Sequence, residues 1–119
     1  QVEFHPYLDQ SKLFAAATRL GISLSAYCPL AKGRIFGDPV IKTLAAKYNR
    51  SEAQIILRWI VQKGVSANPM STKPENLRAN LETLSFTLSA PDSATIDKLG
   101  EKGVRIVDKD RMPIAPEWD

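Results

Sequence analysis

Hydrophobic positions along the chain switch several times between a two-residue and a helical period, and each switch marks a predicted element. Val2 to His5 is a short β-rich run ended by Pro6. From about Gln10 to Leu20, Leu13, Ala16, Ala17 and Leu20 fall at i, i+3, i+4 and i+7, predicting an amphipathic helix stopped by Gly21. Ile22-Ser23-Leu24-Ser25-Ala26-Tyr27 then alternates with period two, the mark of a strand. A loop from Pro29 to Gly37 carries glycine, lysine and arginine. Asp38-Pro39 offers an N-cap followed by proline at the first helical position, predicting a short helix to about Tyr48. Ser51-Glu52-Ala53-Gln54 has the form of a capping box and opens a helix through Ile55, Ile56, Trp59 and Ile60 to Lys63, before Gly64. Val65 to Asn68 is the third predicted strand. Thr72-Lys73-Pro74-Glu75 reads as another capping box with Leu77 and Leu81 behind it, and Ser89-Ala90-Pro91-Asp92 caps a last helix ending near Leu99. From Gly100 the chain reads as a polar tail.

The predicted order is β-α-β-α-α-β-α-α-tail. Strands separated by crossover helices pair in parallel. Three βα units leave a sheet with an open edge, whereas a closed (β/α)8 barrel takes about 250 residues. The expected fold class is therefore α/β, the C-terminal portion (about strands six to eight) of a (β/α)8 TIM barrel. Residues 1–119 are expected to form one domain part, with three βα units and extra helices over 1–99 and the tail over 100–119. The opening Gln1-Val2-Glu3-Phe4, already strand-like and without an initiator Met, points to the back part of something longer.

Composition narrows the function classes. With 119 residues, 44% hydrophobic and 24% charged, the chain has ordinary globular composition. It holds no apolar run of roughly 18 residues, which a membrane-spanning helix needs. No secretory signal pattern is visible, and the single Cys28 fits a reducing, cytoplasmic compartment. One histidine and one cysteine are too few for a structural zinc site, so no metal is expected. Sixteen basic against thirteen acidic residues give a net charge of +3. The basic residues are spread along helical stretches among Glu and Asp, which argues for a solvated surface rather than a nucleic-acid face. A mild basic excess also suits a phosphorylated small molecule.

In a barrel the chemistry sits at the C-terminal ends of the strands, and three places qualify. Around Gln1 to Tyr7, Gln1 offers an amide to a carboxamide, and His5 is either an acid–base group or a turn histidine beside Pro6. In Ala26 to Gly33, Tyr27 either presents its ring to a planar cofactor or packs in the barrel. Cys28 there has no adjacent base to activate it and reads as a wall residue. In Pro69-Met70-Ser71-Thr72-Lys73, two hydroxyls, a cation and a helix start converge, which makes either an anion site or a plain cap. These parts assemble no Ser-His-Asp grouping, metal cluster or P-loop.

Taken together, Gln1-Val2-Glu3-Phe4-His5-Pro6-Tyr7, Ala26-Tyr27-Cys28-Pro29-Leu30, and Pro69-Met70-Ser71-Thr72-Lys73 with Leu77 and Asn80 resemble the C-terminal part of aldo-keto reductases. The resemblance runs the whole length of the chain. The ending Ile114-Ala115-Pro116-Glu117-Trp118-Asp119 and the Ser71-Thr72-Lys73 loop look most like the bacterial branch that reduces 2,5-diketo-D-gluconate. The resemblance implies a (β/α)8 barrel that reduces aldehydes and ketones with NADPH as cofactor. It implies that Gln1 holds the nicotinamide carboxamide and Tyr27 stacks on the nicotinamide ring. Cys28, Leu30 and Lys32 would follow the pyrophosphate, Ser71, Thr72 and Lys73 would meet the adenosine 2′-phosphate, and Asn80 would reach the adenine. Two positions depart from the family pattern: Met70 stands where many relatives have Lys, and Asn76 where they have Arg. Lys73 is then expected to carry the charge.

The family's catalytic Asp, Tyr, Lys and His lie on its first four strands, so no catalytic residue is expected in this chain and the chain alone is expected to be inactive. The expected partner is a small-molecule carbonyl substrate, a dicarbonyl or keto-sugar of the 2,5-diketo-D-gluconate or methylglyoxal type. No nucleic acid and no membrane are expected, and the full-length protein is expected to be a monomer. Trp118 either walls the substrate pocket or packs on the barrel. The rival reading is a non-catalytic half barrel that binds a nucleotide or a protein partner.

Overall fold

A computed structural model describes residues 1–117. Its three strands are short: β1 (Val2–Glu3), β2 (Ser25–Tyr27) and β3 (Ser66–Ala67). They pair in parallel in the order β1-β2-β3, with Val2 opposite Ala26, Glu3 opposite Tyr27 and Ser25 opposite Ser66. The crossovers are helical, as the alternation of periods predicts. They are α1 (Ser11–Arg19) between β1 and β2, and α2 (Pro39–Tyr48) with α3 (Glu52–Gln62) between β2 and β3. Beyond β3 come α4 (Pro74–Glu82) and α5 (Ala90–Asp97), and α5 runs on into a tight turn over Lys98–Lys102.

The core lies between the sheet and α3. Ala26, Ile55, Ile56 and Ile60 are fully buried, and Phe4 stacks on Trp59 with ring centroids 5.5 Å apart. Side chains alternate across a strand. Val2, Phe4 and Ala26 therefore turn toward the helices, while Gln1, Glu3, Ser25, Tyr27, Ser66 and Asn68 share the opposite, polar face. A hydrogen bond of 2.7 Å from the Asn68 amide to the Ser25 hydroxyl ties that face across two strands.

Several sequence expectations are corrected. The strand predicted from Ile22 begins only at Ser25. The Ile22 N–H is taken by the Ala17 carbonyl at the end of α1 (2.9 Å), and β1 offers no ladder partner that far back. The strand runs to His5 and from Val65 to Asn68 shorten to two residues each. The Val65 N–H turns back to the Ile60 carbonyl at the end of α3, while the Phe4 and Asn68 N–H groups make the last bonds to β2, to the Tyr27 and Ala26 carbonyls. Of the apolar stripe on α1, only Ala17 is buried, and Leu13 and Leu20 are exposed. The capping box expected at Thr72 does not form. Pro74 starts the helix, so Lys73 occupies the cap position, with no side-chain cap, and Leu77 and Leu81 are exposed. The other three caps form as read: Asp38 accepts from Val40 N–H at 2.9 Å, Ser51 and Gln54 make the reciprocal box, and Ser89 accepts from Asp92 N–H. The tail is not merely polar, since Ile106 and Ala115 are buried.

Candidate functional site

Parallel pairing brings the C-terminal ends of all three strands to one side, and the loops that leave them carry most of the residues singled out in the sequence. Gln1 is exposed just ahead of β1, on the polar face shared with Glu3 and Tyr27. Tyr27 ends β2, half-buried. Burial pushes its hydroxyl above the ordinary range, and the Glu3 carboxylate adds to this while Arg105 opposes it. Cys28 follows, also half-buried. Its thiol is raised by burial and by Glu3, with Lys32 opposing, which disfavours the thiolate.

The loop after β2 is backbone-constrained. Cys28, Ala31 and Lys32 all adopt left-handed φ, near +49°, +48° and +51°. Such conformations cost of order 1 to 3 kcal/mol each for non-glycine residues and concentrate at ligand clamps. Ala31 is fully buried and Leu30 packs against the core, which anchors the loop, while Lys32 remains exposed.

On the β3 side, Ser71 is half-buried and its hydroxyl accepts from the Lys73 N–H at 3.2 Å. Thr72 and Lys73 are exposed, and Met70 is 94% exposed, an apolar side chain laid open beside them. Asn80 is half-buried on α4. The first turn of α4 offers fewer free amides than a generic helix start: Pro74 has none, and the Asn76 and Leu77 N–H groups both reach the Lys73 carbonyl at 3.1 Å. Trp118 lies outside the described residues. A hollow of about 250 Å³ between β1, α1 and α3, lined by Phe4, Phe14, Trp59 and Lys63 among others, contains none of the singled-out residues.

His5 is neither exposed nor aimed at the strand-end loops for chemistry. It is fully buried, and its Nε2 is 2.9 Å from Glu3 Oε1. Two features escape sequence reasoning. Glu3 is 2% exposed, and its carboxylate also accepts the Ile106 N–H at 2.6 Å and the Val107 N–H at 2.9 Å. Burial pushes its pKa up, but the hydrogen bonds from His5 and the two amides outweigh this and hold it below the ordinary carboxylate value. Tyr7 donates to Asp38 at 2.7 Å, and Lys102 reaches the same oxygen at 2.7 Å while lying over the Tyr7 ring. The only sequence hint of Glu3 was its place two residues from Gln1 on a short strand. Its partners lie 103 and 104 residues away, beyond the reach of any local pattern.

The molecule is thus of the α/β class, a three-stranded parallel sheet with helical crossovers, a polar strand face and a constrained loop at the end of β2. The aldo/keto reductase family model matches residues 1–101, and the chain belongs to that family. It is 41% identical over its full length to methylglyoxal reductase DkgB of Escherichia coli O157:H7, covering 43% of that protein. It superposes over its full length on 42% of a crystal structure bearing the name 2,5-diketo-D-gluconic acid reductase B, at 36% identity and a TM-score of 0.91. A Gox0644 variant in complex with NADPH matches 94% of the chain, and 41% of that protein, at 32% identity and a TM-score of 0.87. The chain thus spans about two fifths of the relatives it matches. Among the described residues no helix is long and apolar enough to cross a membrane.

Proposed function

We propose that this chain is the cofactor-binding C-terminal part, about strands six to eight, of a (β/α)8 aldo-keto reductase that uses NADPH to reduce the carbonyl of a small dicarbonyl or keto-sugar. The observation that carries this is the polar strand face, on which Glu3 and Tyr27 lie opposite each other on neighbouring parallel strands, with Gln1 just ahead of β1 and the constrained Cys28–Lys32 loop at the end of β2. Relatives named for methylglyoxal and for 2,5-diketo-D-gluconic acid support the substrate class, and the NADPH complex supports the cofactor.

The donor set present suits such a dinucleotide. NADPH, when bound, supplies the hydride. Tyr27 offers a half-buried aromatic face at a strand end. Gln1 offers both an amide donor and an acceptor to a carboxamide. Cys28, Leu30 and Lys32 line a loop whose backbone is already bent, so little ordering is left for a ligand to impose. Ser71, Thr72 and Lys73 supply hydroxyls and a cation to a phosphate, and Asn80 an amide to the adenine. With Met70 and Asn76 offering no charge, Lys73 is the cation left to discriminate the 2′-phosphate. The proton donor and its helpers belong to the part of the barrel upstream of Gln1. The complete protein is cytoplasmic and monomeric in this reading.

The test is titration of the complete polypeptide with NADPH and NADH, followed by cofactor fluorescence, alongside NADPH oxidation in the presence of methylglyoxal. Lys73→Ala should weaken NADPH by about tenfold, the worth of one charge-assisted contact, and leave NADH within about twofold. Equal losses for the two cofactors would remove Lys73 from the phosphate site. Absence of any binding in the unmodified protein would overturn the functional reading itself.

A further inference from the structure

We propose that Glu3 is a positioning residue: its buried carboxylate docks tail residues 104–107 onto the strand end beside Tyr27 and thereby fixes the wall that the tail presents to the substrate. The last clause rests on the carbonyl-reductase reading above, and the docking itself does not.

Three observations converge. Both Glu3 oxygens are engaged, Oε1 by His5 Nε2 and the Ile106 N–H, and Oε2 by the Val107 N–H. A carboxylate is costly to bury, and it is kept here only because donors meet it, two of which come from the tail. Secondly, the neighbouring links to the body lie alongside. The Val104 N–H donates to the Tyr7 carbonyl at 2.8 Å, Lys102 pairs with Asp38, and Ile106 is buried in the core. Beyond Val107 the tail bonds to itself: the Met112 N–H reaches Asp108, the Ala115 N–H reaches Met112, and Arg111 reaches both Asp108 and the Arg105 carbonyl. In the described tail the hydrogen bonds and ion pairs to the body thus fall within residues 102–107. Thirdly, Glu3 is the direct register partner of Tyr27 and lies on the same face as Gln1, and its charge is felt by both Tyr27 and Cys28. The tail's anchor on β1 therefore stands two residues after Gln1, the amide that the proposed function assigns to the cofactor. Cofactor and tail contacts are adjacent but made by different side chains, so they can be separated by mutation.

Glu3→Gln keeps the shape but turns one acceptor into a donor facing an N–H. In the complete polypeptide, hydrogen–deuterium exchange at the Ile106 and Val107 amides should then rise about tenfold, while the Ile56 and Ile60 amides of α3 stay unchanged. The substrate KM should rise several-fold, with kcat and NADPH affinity held within about twofold. If Glu3→Gln fails to fold, Val107→Pro removes a donor from the tail's side and should give the same split between KM and kcat. Unchanged exchange at both tail amides overturns the docking role. Faster exchange with an unchanged KM overturns the wall. Equal loosening of α3 and the tail marks Glu3 as a general core residue and overturns the proposal. The exchange readout needs no cofactor, so a protein that binds no NADPH would defeat the functional reading without deciding the fate of the anchor.

Discussion

Asp92 shows how much a single side chain gathers. Its carboxylate accepts from Lys47 Nζ at 2.8 and 3.0 Å, from the Tyr48 hydroxyl at 2.5 Å and from the Ser89 hydroxyl at 2.7 Å. The Lys47 bond, then those from Tyr48 and Ser89, hold its pKa at about 2, well below the ordinary 3.8. A carboxyl depressed in the folded state contributes stability that is fully present above its unfolded value and is lost as pH falls through its folded one. Urea denaturation should therefore show stability declining between about pH 4 and pH 2 more steeply in the native protein than in Asp92→Asn. Identical slopes would mean that the cluster contributes nothing to acid stability. Ser89 was readable beforehand as a cap. Lys47 and Tyr48 were not, because they sit 45 and 44 residues away and meet Asp92 only once α2 packs near α5.

At the level of elements, the caps separate what local chemistry fixes from what it only suggests. The box at Ser51 is complete, with Ser51 Oγ on the Gln54 N–H at 3.2 Å and Gln54 Oε1 on the Ser51 N–H at 3.0 Å. Ser51→Ala should cost about 1 kcal/mol in urea titration, the usual worth of an N-cap. Asp38→Ala should cost more, about 2 to 3 kcal/mol, because it removes a cap and also takes away the acceptor of the Tyr7 hydroxyl and the partner of Lys102. An equal loss for both variants would show that the Tyr7 and Lys102 contacts are idle. The same four-residue pattern at Thr72 fails: α4 starts at Pro74 with Lys73 at the cap, whereas at Ser89 the identically spaced Pro91 sits at the second helical position and the serine caps. Gln54 also shows a cap residue recruited for packing, its Nε2 donating to the Ala79 carbonyl of α4 at 2.9 Å. Nothing in the pattern around Ser51 announces that second contact.

On the scale of the whole molecule, the sheet ends in two unpaired edge strands, β1 and β3. The helices that follow them expose apolar side chains, Leu13, Leu20 and Ile22 in and after α1, and Leu77, Leu81 and Leu84 in and after α4. Open parallel edges and apolar faces of this kind associate in water. Residues 1–119 expressed by themselves should therefore self-associate in light scattering and bind a hydrophobic dye, whereas the complete polypeptide should be monodisperse. A monomeric, cooperatively unfolding 119-residue protein would contradict the reading of the chain as part of a closed barrel. The exposed stripes also explain why the periodicity of α1 and α4 was legible while their burial was not. Period records which face is apolar, and only the surrounding structure decides whether anything covers it.

The sequence by itself determined the order of the elements, the parallel sense of the sheet and three of the four side-chain caps it predicts. Those depend on side-chain period, crossover connections and hydrogen bonds within four residues of one another. It also singled out the strand-end loops, through the Tyr27 to Gly33 segment and, separately, through Ser71, Thr72 and Lys73 adjacent in the chain. Tertiary structure alone decided the rest. It chose which face of each strand is polar and drew Glu3 to the amides of Ile106 and Val107 across the chain. It gathered Asp38, Tyr7 and Lys102 into one network. Such contacts join residues whose separation along the chain carries no local signal, and a carboxylate buried at their meeting point is tolerated only because the fold brings its donors to it.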